Sequence, residues 1–157
     1  MYTYNLYCTG GSTSATANAW LSGPHLSVKA GNHDVTLMGL KIPIYVYATV
    51  AYYIIVVRRV GAYTTGGAAV PPLFLTTDAT SNPQFSAIWS ASGALTVTRS
   101  LADFEALRMA GGSVGQTEWV DGGNLILPAN DPGSLDIYVA ASQVSQGFNF
   151  NAFVVEN

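Results

Sequence analysis

The chain has 157 residues, a length that fits one domain and lets a fold bury enough surface to stand without a metal or a disulfide. Hydrophobic residues make up 49% and charged residues only 10%, against about 25% charged in an ordinary soluble domain. Disorder is excluded, and the surface must be rich in Ser, Thr, Asn and Gly or lie against neighbours. Six basic residues and a net charge of −3 leave no footprint for nucleic acid and no polybasic patch for a membrane, and one cysteine allows no intrachain disulfide.

In chain order, Tyr2, Tyr4, Leu6 and Cys8 alternate with Thr3, Asn5 and Tyr7, the pattern of a half-buried strand on which Cys8 acts as a small apolar residue. The start has no basic region and no continuous apolar run, so no secretory signal is expected and the chain is expected to stay in the cytoplasm where it is made, or to leave by lysis or assembly. Residues 9–24, rich in Gly, Ser, Thr, Ala and Asn, predict a loop or extended arm closed by Gly23-Pro24. His25 to Val28 and Val35 to Ile42 predict further strands. The run from Ile42 to Val57 is apolar for sixteen residues, short of the roughly 20 that a spanning helix needs, and it is β-branched and aromatic. It predicts one long bent strand or two buried strands.

Thr64 to Gly67, Pro71-Pro72 and Asp78 to Pro83 are breakers. Gln84 to Trp89 and Ala94 to Arg99 predict strands. Leu101 to Met109 has i, i+3 spacing with Ser100 and Asp103 as a cap pair; it is read as a short helix or a strand. Thr117 to Val120 and Asn124 to Leu127 predict strands around a hairpin-like turn at Asp121-Gly122-Gly123. Asp131-Pro132-Gly133 is a turn signature. Ser134 to Ala141 and Phe148 to Glu156 alternate cleanly and predict an antiparallel terminal hairpin. Many short strands and at most one short helix indicate a single all-β domain over 1–157, an antiparallel β-sandwich of jelly-roll type.

Chemistry-bearing patterns are sparse. His33 and Asp34 are adjacent, so on a strand they point to opposite faces and make no dyad. His25 has no second histidine at ligand spacing, and one cysteine makes no zinc site. No G-x-S-x-G elbow, phosphate loop or calcium loop occurs, and Gly111 to Gly115 reads as a flexible loop. The reading is therefore of a non-enzyme with no catalytic residue, cofactor or metal. The tyrosine-laden N-terminal half suits core edges and protein contacts, since tyrosine offers large rigid area with a polar tip. Tyr2, Tyr4, Trp20, Tyr45, Tyr47, Arg58 and Arg59 are the candidate interface residues. The two arginines fall on opposite strand faces, one to pair with a carboxylate inside and the other to reach solvent.

From Val56 onward, over about two thirds of the chain, the sequence resembles small tailed-bacteriophage virion proteins built on one jelly roll. The residues that carry this are Val56-Val57-Arg58-Arg59, the loop ending in Gly66-Gly67, Pro71-Pro72 with Asp78…Pro83, the strand Gly122-Gly123-Asn124-Leu125-Ile126-Leu127, and the closing strand to Glu156. The resemblance implies a capsid decoration (cement) protein that binds the major capsid lattice as a homotrimer on the virion, with no nucleic-acid or membrane partner. The alternative is a receptor- or glycan-binding accessory module of a tail fibre or baseplate.

Overall fold

The structure, a computed structural model, describes residues 2–21, 23–43, 50, 52–60, 68–70, 73–74, 84–87, 104–109 and 116–157. These residues form eleven strands: β1 (Tyr2–Ser12), β2 (Leu26–Lys29), β3 (Val35–Pro43), β4 (Tyr52–Arg59), β5 (Ala68–Ala69), β6 (Leu73–Phe74), β7 (Gln84–Ala87), β8 (Phe104–Met109), β9 (Gln116–Leu127), β10 (Ser134–Ala141) and β11 (Gly147–Glu156). No helix occurs among the described residues. The strands form two antiparallel sheets. Sheet A has the order β6-β1-β11-β3-β9, and sheet B the order β5-β7-β2-β10-β4-β8.

The pairing has a simple rule. β1 pairs with β11, β2 with β10, β3 with β9 and β4 with β8. The chain is thus a long antiparallel ribbon whose successive rungs fall alternately in sheet A and sheet B. Both sheets feed one core. Leu6, Leu37, Leu40 and Val154 come from sheet A; Leu26, Ile54, Ile137 and Val139 come from sheet B. That two-sided apolar contact is what makes the fold an antiparallel β-sandwich.

Alternation explains most inward positions, and one irregularity explains the rest. In β3, Val35 and Leu37 point inward, yet so do Leu40 and Ile42, which are out of phase with them. The register against β11 steps from Leu37↔Val154 to Gly39↔Phe153, leaving Met38 as the extra residue of a bulge. The bulge resets the phase, so both halves of the strand keep their leucines in the core.

Several expectations change. The apolar run of 42–57 is not one bent strand: it contributes the end of β3 to sheet A and β4 to sheet B, the two-strand alternative. Phe104 to Met109 is strand β8, not helix, because it supplies the antiparallel partner of β4 from Tyr52↔Met109 to Val57↔Phe104. Asp121 to Gly123 does not turn a hairpin. Both flanks, Val120 and Leu125, pair with the same strand β3, so the residues between them form an excursion within β9. Gly10 to Ser12 belongs to β1, with a register shift between Cys8 and Gly11, and the loop starts only at Thr13. The expected features at Thr64–Gly67, Pro71-Pro72, Asp78–Pro83, Ala94–Arg99, Ser100, Asp103 and Gly111–Gly115 lie outside the described residues.

Candidate functional site: the open face of sheet A

The two outer faces of the sandwich differ. On sheet B, Ser27, Ile55, Val57, Arg59, Ser134, Asp136, Tyr138 and Ala140 alternate out of the core, and all are buried. Trp20, from the loop after β1, packs against Ile55, Val57 and Tyr138. β10 is therefore buried on both faces, where sequence alternation predicts a half-exposed strand.

Four polar side chains of this covered face are joined through one carboxylate. Arg59 Nη2 donates to Asp136 Oδ2 at 2.8 Å, and the other carboxylate oxygen accepts from Ser27 Oγ at 2.7 Å and from Ser134 Oγ at 2.8 Å. The register places them together, since Asp136 lies opposite Ser27 on β2 while Ser134 lies opposite Arg59 on β4. A buried carboxylate with three donors and a matched guanidinium is a structural lock. It exposes no nucleophile.

Arg58 turns the other way. Its Nη2 meets Asp131 Oδ2 at 2.8 Å with the arginine side chain 42% exposed. Asp131 also accepts the Gly133 N–H at 2.7 Å, which closes the turn expected at 131–133. A Cβ at Gly133 would run into the Arg59 carbonyl oxygen, so this close approach demands glycine.

At the end of the core, Tyr4 Oη donates to Glu156 Oε2 at 2.8 Å, and both residues are fully buried. His25 is buried as well. Its Nδ1 accepts the Val139 N–H at 3.1 Å, and its Nε2–H donates to the Ser12 carbonyl at 3.0 Å. Both ring nitrogens are thereby engaged, and the one lone pair, on Nδ1, is taken by the Val139 N–H. Burial lowers its pKa from 6.5 to about 4, partly offset by the Ser12 bond. Cys8 sits in the core, where burial pushes its thiol up to about 12. Among the described residues no three His, Cys, Asp or Glu side chains gather as a metal site.

The outer face of sheet A is open in part, with Thr36, Val155 and Gly39 buried and other positions exposed. The register sets out three rows across its strands: Thr3, Val155, Thr36 and Ile126; Leu73, Asn5, Phe153 and Gly39; Tyr7, Asn151 and Lys41. Tyr7 is 49% exposed, Leu73 61% and Ile126 47%. The register continues the third row from Lys41 to Glu118 on β9, so that row carries one basic and one acidic residue. An exposed sheet face that carries aromatic and aliphatic groups among amides and hydroxyls, with so little charge, has the composition of an interface core.

The candidate interface residues divide. Tyr4 and Arg59 are not available for contact: one is in the core on Glu156, the other is locked to Asp136 beneath a covered face. Trp20 is spent on its own chain. Tyr2 is half-buried, edge-on to His33 at a ring separation of 6.2 Å, and Arg58 is half-exposed and bonded to Asp131. Tyr45 and Tyr47 lie outside the described residues. Tyr7, Leu73, Ile126 and Phe153 were not singled out by sequence. The alternation of β1 and of β11 already placed Tyr7 and Phe153 on outward positions, and that was the available signal.

Compared with protein-family models, curated proteins and solved structures, the chain matches none.

Proposed function

We propose that the protein is a non-catalytic structural component of a phage particle, a capsid decoration protein that binds the major capsid lattice as a homotrimer. The observation that carries this reading is the contrast between the two outer faces: on sheet B the protein's own Trp20 packs over Ile55, Val57 and Tyr138, while sheet A leaves Tyr7, Leu73 and Ile126 exposed among few charges. A face of this kind loses little on desolvation because few ions must leave water. The ribbon-like winding of rungs between two sheets supports the jelly-roll expectation.

The mechanism is mass action. A ligand that binds only the assembled lattice stabilises it by about 2.7 kcal/mol per site at a hundred times its dissociation constant. Three joined subunits raise the effective concentration of the second and third contacts. Cosedimentation of the purified chain with assembled capsid shells tests this: the chain pelleting with shells and raising their melting temperature is the expected result, and a chain left in the supernatant refutes the reading.

The same face favours one other role. Asn5, Asn149 and Asn151 stand beside Tyr7 and Phe153 on outward positions, and amides next to aromatic rings can bind sugars by hydrogen bonding and stacking. A glycan-binding accessory module of a tail fibre would use these residues, and a glycan array distinguishes it from a lattice clamp.

A further inference from the structure

The first loop of the chain is tied at its neck by one side chain. Ser12 ends β1 and His25 precedes β2, and the bond from His25 Nε2–H to the Ser12 carbonyl joins them across the loop. The same residue fixes the neck to sheet B: its backbone N–H donates to the Ile137 carbonyl at 2.8 Å, and its Nδ1 accepts the Val139 N–H. The ring also lies edge-on to Phe148 at 4.9 Å. Beyond the neck the loop is bonded to the β10–β11 end by Thr13 N–H to the Gln146 carbonyl, Gln146 N–H to Thr13 Oγ1, Asn18 N–H to the Ala141 carbonyl, and Ser145 N–H to the Ser14 carbonyl. Its Trp20 covers Ile55, Val57 and Tyr138.

We propose that His25 is an acid-sensitive clasp: when its ring takes up a proton, the stretch from Thr13 to Leu21 lifts from sheet B and uncovers the apolar patch beneath Trp20. The proton goes to Nδ1, the one ring position without a hydrogen, and turns the acceptor of the Val139 N–H into a donor aimed at a donor. It also places a charge in a fully buried position.

The Ser12 carbonyl on β1 keeps its bond and favours the cation, but it offsets only part of the burial, and no charged side chain on the surrounding strands makes up the rest. Cys8 on β1 and Tyr52 on β4 are held neutral by burial. Lys29 on β2 is a cation. Asp136 on β10 lies on the opposite face, bonded to Arg59, and Glu156 is at the far end of β11 from Phe148, bonded to Tyr4. The loop, joined to the body by those few bonds, yields before the two-sheet core does.

Hydrogen–deuterium exchange of the full chain, corrected for the intrinsic pH dependence, tests the clasp. A proton that binds the open form at 6.5 and the closed form at about 4 enriches the open form about thirtyfold between pH 7.5 and pH 5. The Thr13 and Asn18 amides should lose protection by that factor, while Leu40 and Ala152 amides keep theirs. The clasp is refuted if Asn18 protection does not change, if all strands lose protection together, or if His25→Gln, which cannot titrate, responds to acid in the same way. Should that variant not fold, NMR titration of the His25 ring in the native chain decides: it must titrate with the same midpoint as the loss of Asn18 protection, and titration near 6.5 with the loop still closed overturns the proposal.

Discussion

Arg59 and Asp136 meet at 2.8 Å with side chains only 4% and 0% exposed, on the side of sheet B that faces away from the core. An ion pair at such a depth is a constraint on the fold more than a source of net stability, because removing one partner strands the other. Asp136→Ala leaves the guanidinium and two serine hydroxyls without their acceptor and should cost about 3–5 kcal/mol, read as a fall in the denaturant midpoint. Replacing both residues with apolar ones of similar volume should cost far less than either single change. Arg58→Ala, which breaks the exposed partner pair, should stay within about 1 kcal/mol. Equal costs for Arg58 and Arg59 would mean that the two faces are not different in the way described.

The His25 ring gives stability a pH dependence of known sign. Its folded pKa lies below the unfolded 6.5, at about 4, so its contribution is whole above pH 6.5 and is lost as the pH falls through that window to about 4. Acid also protonates carboxylates, so the clean quantity is the difference between the native chain and His25→Gln. From pH 7 to pH 4 the native chain should lose about 3 kcal/mol more than the variant in urea unfolding. Parallel curves for the two would contradict the neutral, doubly bonded imidazole.

Cys8 offers a chemical readout of the core. A thiol pushed up to about 12 by burial holds almost no thiolate at neutral pH. Alkylation of the native chain should be far slower than that of the urea-unfolded chain, and its rate should track global opening. Rapid labelling under native conditions would show that β1 does not pack against the core as described.

The open face of sheet A can be altered without touching the core. Tyr7→Lys and Ile126→Lys together add two charges where the side chains are about half exposed. Thermal stability should move little, by about 0.5 kcal/mol for each surface change, while self-association is lost. If both properties are unchanged, the contacts lie on another surface.

The sequence carried the strand pattern, because alternation needs only neighbouring residues, and β10 and β11 are strands where SLDIYVAA and Phe148 to Glu156 alternate. The antiparallel terminal hairpin expected of them does not form: β10 lies in sheet B between β2 and β4, and β11 in sheet A between β1 and β3. It did not carry what depends on distant partners. Asp136 and Tyr138 alternate away from the core-facing Leu135, Ile137 and Val139, yet both are buried, and Trp20, more than a hundred residues earlier, packs on the cluster of Tyr138. The clasp of His25 joins residues 13 and 114 positions away, and no local pattern marks either. Asp121-Gly122-Gly123 has the composition of a hairpin turn, but only the pairing of both its flanks with β3 shows that the strand makes an excursion and resumes on the same partner. The opposite-face reading of Arg58 and Arg59 followed from the two-residue period; which of them goes inside depended on Asp136 across the sheet.

The central claim is that the open, weakly charged face of sheet A is covered by other protein chains. Multi-angle light scattering of the purified chain at micromolar concentration tests it most directly. The expected result is a single species with three times the 16.5 kDa of one chain. A single species of 16.5 kDa that persists as concentration rises would contradict it.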